Sequence, residues 1–177
     1  MTDTVTPDTT MTDTVMTDTV TPHTVTLRGY RSEDAPLLTG PWLRAELLGL
    51  APPGVPGTAD PTVVPPPRDA TEELCILPGA GFVRFTELDW VHRRARLEIG
   101  LQPGAADCAR SALASALTHA LQALNLHRVY GWATPDAGAP TDLLAQAGLR
   151  QEATVPEAFW FGGRPVARQL WGVILDA

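Results

Sequence analysis

The sequence predicts one α/β domain (α+β in some classifications), built on a mixed central sheet of about seven strands with about four helices. Three observations carry that expectation. Arg94-Ala95-Arg96-Leu97-Glu98-Ile99-Gly100-Leu101 alternates polar and apolar residues, the period of a half-buried strand. From Ala109 the apolar residues fall at Ala112, Leu113, Ala116, Leu117, Ala120, Leu121 and Leu124, steps of three and four that share one helical face. After Asn125, Arg128-Val129-Tyr130-Gly131-Trp132-Ala133 has the composition of a buried strand. Strand, helix and strand of these lengths favour a βαβ unit in a parallel or mixed sheet.

The flanks extend the sheet. Val25 to Tyr30 alternates as a first strand. Ser32-Glu33-Asp34-Ala35-Pro36 reads as a helix start, with Ser32 as cap and acidic residues in the first turn. Leu37, Leu38, Trp42, Leu43, Leu47 and Leu48 continue it at helical spacing, with Gly40-Pro41 as a break. Ala51 to Asp69 is too rich in proline for helix or central strand and reads as a long surface loop. Glu73–Leu77 and Phe82–Leu88 read as a hairpin turning at Pro78-Gly79-Ala80-Gly81, and Asp89 to Arg93 turns into the strand at Arg94. Beyond Ala133, Thr134 to Pro140 is irregular, and Asp142 to Ala147 is a short helix with Thr141 as cap and Gly148 as stop. The last hairpin has arms Glu157–Phe161 and Arg168–Leu175, joined through Gly162-Gly163-Arg164-Pro165.

Two regions are expected: a disordered low-complexity tail over 1–23 and the α/β domain over 24–177. The tail repeats Met-Thr-Asp-Thr-Val, in which only Met and Val are apolar, too little to bury. In a chain of 177 residues the remainder forms a single core.

Composition removes several function classes. Net charge is −7, and all 13 basic residues are arginine, so no broad basic face draws nucleic acid. No apolar run has the length of a membrane span, and no signal-peptide layout is read, so no membrane association and a cytoplasmic location are expected. Cys75 and Cys108 lack paired-cysteine spacing and are expected as reduced thiols, with no histidine set beside either by the sequence. His23, His92, His119 and His127 have no ligand spacing, so no metal is expected. His119 reads as solvated on the outer side of the long helix. Tyr130 reads as core, and Trp132, Trp160 and Trp171 as strand and core packing.

Four stretches resemble one family. Thr26 to Ala35 resembles a first strand and helix start, and Ala95 to Leu101 a fourth strand. Leu124-Asn125-Leu126-His127-Arg128-Val129 resembles the junction before a fifth strand, and Leu143 to Glu152 the end of a fourth helix and the start of a sixth strand. In this order they resemble the GNAT N-acetyltransferase superfamily, most of all its ribosomal-protein N-terminal acetyltransferase (Rim-type) branch, from about Thr24 to the C-terminus.

That resemblance implies splayed strands 4 and 5 whose open edges pair with the pantetheine arm of acetyl-CoA. It also implies a turn before the long helix whose N–H groups meet the pyrophosphate at the positive end of the helix dipole. The residues it points to are the backbone at Ile99, Gly100 and Leu101, which would also polarise the thioester carbonyl, and the turn Gly104, Ala105, Ala106, Asp107, Cys108, Ala109 and Arg110. Glu98, on the fourth strand, is the implied catalytic base. The turn departs from the family's glycine-rich pattern: Asp107 stands where a motif glycine is expected, as a residue that would cap its own helix and set a negative charge beside a negative ligand. The expected function is acyl-CoA-dependent N-acetylation of a protein N-terminus or a small amine, with a homodimer as the assembly left open. The alternative is a GNAT-fold interaction protein that has lost acetyl-CoA binding.

Overall fold

The computed structural model describes residues 25–43 and 63–176. The tail, the helical spacing over 44–48 and the loop over 51–62 lie outside the described residues. Among those described, seven strands form one sheet: β1 Arg28–Gly29, β2 Glu73–Leu77, β3 Gly81–Asp89, β4 Arg94–Leu101, β5 Arg128–Ala133, β6 Arg150–Phe161 and β7 Arg164–Ile174. Their spatial order is β1-β2-β3-β4-β5-β7-β6. The β4–β5 pair is parallel, bridged by helix α1 Ala109–Gln122, and its neighbours in the sheet are antiparallel. A short helix α2 Thr141–Gln146 joins β5 to β6, and 3-10 helices cover Ser32–Leu38, Pro103–Cys108 and Pro135–Ala137.

Alternation along the strands gives each face its own core. On the α1 face, Cys75, Val83, Phe85, Leu97, Ile99, Leu101 and Val129 pack against Ala112, Leu113, Ala116 and Ala120 of the helix. On the other face, Leu74, Ile76 and Phe82 pack under Leu38, Trp42 and Val64. Trp42 meets Phe82 edge to face at 5.0 Å. The end of the proline-rich loop is pinned there: Val64 N–H donates to Leu38 O at 2.9 Å, and Val63 bridges Thr39. No helix among the described residues is long and apolar enough to cross a membrane.

Several boundaries differ from the sequence expectation. The first strand is two residues long because the chain at Val25 leaves the sheet for the helix, where Ser115 Oγ donates to Val25 O at 3.1 Å. Ser32 is not the cap. Arg31 holds that position, and the Asp34 carboxylate accepts its N–H at 2.8 Å while taking both guanidinium nitrogens of Arg28 at 2.6 Å. The proline at 36 leaves this segment a 3-10 helix. Helix α1 stops at Gln122 rather than Asn125, since the amides of Ala123 and Leu124 both turn back to His119 O and Asn125 takes a left-handed φ of 52°. Pro140, not Thr141, caps α2, and Gly148 ends it at φ 88° as expected. The last hairpin needs only Gly162 and Gly163 to turn. Both have positive φ, as a two-residue primed turn requires, so the strands run longer than the sequence suggests.

The N-terminal anchor yields a pH prediction. Hydrogen bonding to Arg28 holds the Asp34 carboxyl down at about 2. A carboxyl whose folded pKa lies below its unfolded value gives stability that is complete above the ordinary carboxylate range and is lost as pH falls towards about 2. The urea midpoint should therefore fall between pH 5 and 2, and Asp34→Asn should lower the midpoint at pH 7 and flatten that fall. An unchanged pH slope in the variant would contradict the assignment.

Candidate active site

The parallel strands β4 and β5 pair at Arg94–Arg128, Ala95–Val129 and Arg96–Tyr130, and beyond that point no pairing joins them. β4 continues to Leu101 with partners on its β3 side, while β5 continues to Ala133 with partners on its β7 side. A V-shaped opening results, with Arg96 and Tyr130 at its crotch.

Side chains on the face opposite α1 fill the crotch with charge. Arg96 donates to Glu98 Oε1 at 2.9 Å and pairs with Glu87 at 3.6 Å. Tyr130 donates its hydroxyl proton to Glu87 Oε2 at 2.7 Å. One chain of polar contacts thus runs from β5 to β4: Tyr130, Glu87, Arg96, Glu98. Burial, with Glu87 accepting its hydroxyl, pushes the Tyr130 phenol up to about 12, so it stays protonated at neutral pH. Arg128 lies over the Tyr130 ring and pairs with Glu152, and Arg168 lies 4.8 Å over the Trp132 ring.

Across β4, Arg84 is in register with Glu98 and Thr86 with Arg96. Cross-strand neighbours on one face stand about 5 Å apart. Arg84 is 8% exposed and is held by Glu72, whose Oε2 accepts from it at 2.6 Å. Arg84 Nε and Thr86 Oγ1 are buried with no hydrogen-bond partner among the described residues. Two orphaned polar atoms beside a carboxylate are the setting in which ordered water is held.

The residues implied by the resemblance fall around the opening. Glu98 is half-buried, on the face with Arg94 and Arg96 and opposite Leu97 and Ile99, as the alternation predicts. Ile99, Gly100 and Leu101 form the end of the unpaired arm of β4. Leu101 O already accepts from Leu43 N–H at 2.7 Å, so Leu101 has only its N–H left to offer. Gly100 lies under Phe82, where an added Cβ would meet the ring at 2.0 Å, so the residue is small for packing. The turn residues Gly104, Ala105, Ala106, Asp107 and Cys108 lie in the 3-10 helix Pro103–Cys108, and Ala109 and Arg110 open α1. Asp107 does not cap the helix: Cys108 takes the cap position without a side-chain bond, and Asp107 is exposed. The extra 3-10 turn sets the aspartate one residue ahead of the α1 cap. Arg110 reaches Gln146 on α2.

The remaining side chains differ in how far they follow the sequence. Tyr130 is half-buried with its hydroxyl engaged, not core, because the divergence of β4 uncovers it. Trp171 is buried, Trp132 is half-buried, and Trp160 is 64% exposed on the sheet-edge strand β6. His127 is exposed, and its backbone joins Arg93 O to Leu175 N–H at 2.7 Å each, a role in sheet closure. His119 is not on a solvated face. It packs against β2, 2.6 Å from Glu73 and 3.7 Å from Cys75. In a regular strand Glu87 would share the buried α1 face with Val83 and Phe85, a placement that no sequence pattern marks as functional, and the bulge at Thr86–Asp89, with φ 54° at Glu87, turns it to the crotch instead.

A seven-stranded mixed sheet whose single parallel pair diverges ahead of its connecting helix is the GNAT N-acetyltransferase fold. Its solved neighbours include the spermidine N-acetyltransferase SpeG of Vibrio cholerae. A point mutant of that enzyme superposes with TM-score 0.56 and 22% identity over 60% of this chain and 67% of that chain. The dodecameric enzyme in an intermediate state gives TM-score 0.56 and 23% identity over 60% and 66% of the two chains. The complex of SpeG with CoA and spermine gives 0.54 and 23% over 59% and 66%. The match thus spans about two thirds of the length of those structures. No protein-family profile and no curated protein sequence matches the chain.

Proposed function

We propose that the chain transfers an acetyl group from acetyl-CoA to the nitrogen of a small amine. The observation that carries this reading is the divergence of β4 and β5 beyond Arg96–Tyr130, which leaves backbone edges for a pantetheine arm and ends at a polar crotch holding a carboxylate. The SpeG structures share the fold, and one holds CoA and spermine, which supports a small amine over a protein N-terminus. The Rim-type branch, and an N-terminal acceptor with it, is supported by the four sequence stretches alone.

Glu98 takes the proton from the attacking amine, through water held by Arg84 Nε and Thr86 Oγ1, as the nitrogen forms its bond to the thioester carbonyl carbon. The N–H groups at Ile99 and Leu101, which point away from β3, are the candidates for stabilising the developing oxyanion, whereas the Gly100 N–H faces Phe82 in the β3 ladder. Collapse breaks the carbon–sulfur bond, and the departing CoA thiolate is protonated by water or by the Tyr130 phenol. Gly104 to Arg110 receive the pyrophosphate.

Thermal denaturation with acetyl-CoA tests the reading. At 100 times its dissociation constant the ligand should stabilise by about 2.7 kcal/mol, which in a chain of this size is a rise of about 5–10 °C. No rise at millimolar coenzyme refutes it.

One observation favours the second reading, a GNAT-fold interaction protein without coenzyme. In the wound turn, the amide of Gln102 goes to Ala80 O, that of Ala105 to Gln102 O and that of Ala109 to Ala106 O, groups that a bound diphosphate would need. The charge of Asp107 separates the two. An exposed carboxylate about 4 Å from a phosphate costs about 1 kcal/mol, so Asp107→Asn should tighten acetyl-CoA binding by about fivefold at low salt, with the gain shrinking towards 1 M salt. Titration calorimetry showing equal affinity at both ionic strengths would remove Asp107 from the coenzyme site.

A further inference from the structure

On the α1 face, away from the V-shaped opening, three side chains of different chemistry converge. Glu73 and Cys75 are two apart on β2, so the strand's period points both at α1, and His119 comes down from the helix's last turns. His119 Nε2 lies 2.6 Å from Glu73 Oε1 and 3.7 Å from Cys75 Sγ, and Cys75 Sγ lies 3.6 Å from Glu73 Oε1. The three atoms form a closed triangle within 4.8 Å. Both contacts of the imidazole fall on the same ring nitrogen. This excludes a relay of the nucleophile–histidine–carboxylate kind, which needs opposite nitrogens.

We propose that Glu73, Cys75 and His119 form a binding site for a single zinc-class divalent cation, with three protein ligands and a fourth position open to solvent. Zinc bonds of about 2.0–2.3 Å in tetrahedral geometry set ligand atoms about 3.3–3.6 Å apart. The two edges to sulfur already have this length, and the histidine–glutamate edge needs to widen by less than an ångström. A thiolate, an imidazole and a carboxylate are a donor set suited to Zn²⁺ or Co²⁺ and not to Mg²⁺ or Ca²⁺.

The surroundings fit. Cys75 is fully buried and His119 and Glu73 partly so, while Phe85 lies 5.9 Å from the imidazole and keeps that side dry. An open groove of about 390 Å³ bounded by Leu27, Ser115, Thr118, His119 and Gln122 lies beside the histidine. Binding replaces the thiol proton by the metal–sulfur bond, and that proton leaves to solvent. The ion would tie β2 to α1, elements joined in the chain only through β3 and β4.

The test uses the full chain freed of metal with a chelator. Addition of CoCl₂ should give near-ultraviolet sulfur-to-cobalt charge-transfer absorption and the visible bands of tetrahedral cobalt, saturating at one ion per chain. ZnCl₂ should bleach both and raise the melting temperature. Cys75→Ser should abolish the charge-transfer absorption and Cys108→Ser should leave it intact. His119→Gln keeps the thiol in place and serves if the serine variant does not fold. It should weaken cobalt binding by at least the roughly 10–100-fold that loss of an outer-shell partner costs. Absence of charge-transfer absorption at millimolar cobalt, or absorption that survives Cys75→Ser or an unaltered affinity in His119→Gln, overturns the proposal.

Discussion

Glu98→Gln should lower kcat for acetyl transfer by about 10²–10⁴-fold, the range that a positioned general base contributes. The variant is close to isosteric. Arg96 keeps Glu87 as a partner, so the crotch stays assembled and the melting temperature should move little. On the proposed reading the dissociation constant for acetyl-CoA should not change, because main-chain groups and the turn, not this side chain, would hold the coenzyme. Free thiol release from acetyl-CoA with a panel of small amines, spermidine among them, reads kcat. Calorimetry reads the binding. Loss of turnover with retained coenzyme affinity assigns the proton transfer to this carboxylate, whereas full turnover removes Glu98 from the chemistry.

The second large effect is on stability. Arg84 and Glu72 form an ion pair at 2.6 Å with side chains only 9% and 5% exposed. Taking charges out of water costs several kcal/mol, offset here by mutual attraction and by the second guanidinium of Arg68, which holds Glu72 Oε1 at 2.7 Å. Glu72→Leu leaves a buried guanidinium whose Nε has no partner among the described residues, and should cost on the order of 3–5 kcal/mol. Arg84→Met should cost less, because Glu72 keeps Arg68 and the loop can turn its carboxylate outward. The double variant should recover most of the loss, since two apolar groups replace two desolvated charges. Urea denaturation of the four proteins gives the cycle directly. Equal losses in the two single variants, or additive losses in the double, would refute this asymmetry.

Both effects lie on the same strand pair, and the reason is topological. β3 and β4 pair without a break from Gly81–Leu101 to Thr86–Arg96, so whatever β3 presents there on the face opposite α1 sits beside β4's polar residues. Arg84 therefore serves the fold through Glu72 and lies against the region where the proposed chemistry occurs. A stability defect at Glu72 and a catalytic defect at Glu98 are separable only because Glu98 has its own guanidinium in Arg96.

Local patterning determined much of this protein. Period-two alternation placed β4 to the residue, an apolar run ahead of the Pro78-Gly79 turn placed β2, period-3.6 spacing placed α1 from Ala109, and Gly148, Gly162 and Gly163 marked the stops and turns, because each of these signals is written into neighbouring residues. Glu98 could be put on a face with Arg94 and Arg96 for the same reason. What the face looks onto could not be read, since that depends on where the strands part. The parting of β4 from β5 at Arg96 and Tyr130 decides that Tyr130 is half-open rather than core. A bulge with a left-handed Glu87 supplies the missing member of the crotch. The packing of α1 on β2 gathers Glu73, Cys75 and His119 from positions up to 46 apart, through contacts that no spacing rule describes. Sequence sets periodicity, and periodicity sets faces. Which faces meet is a matter of long-range packing, and both the V-shaped opening and the convergence beneath α1 are products of it.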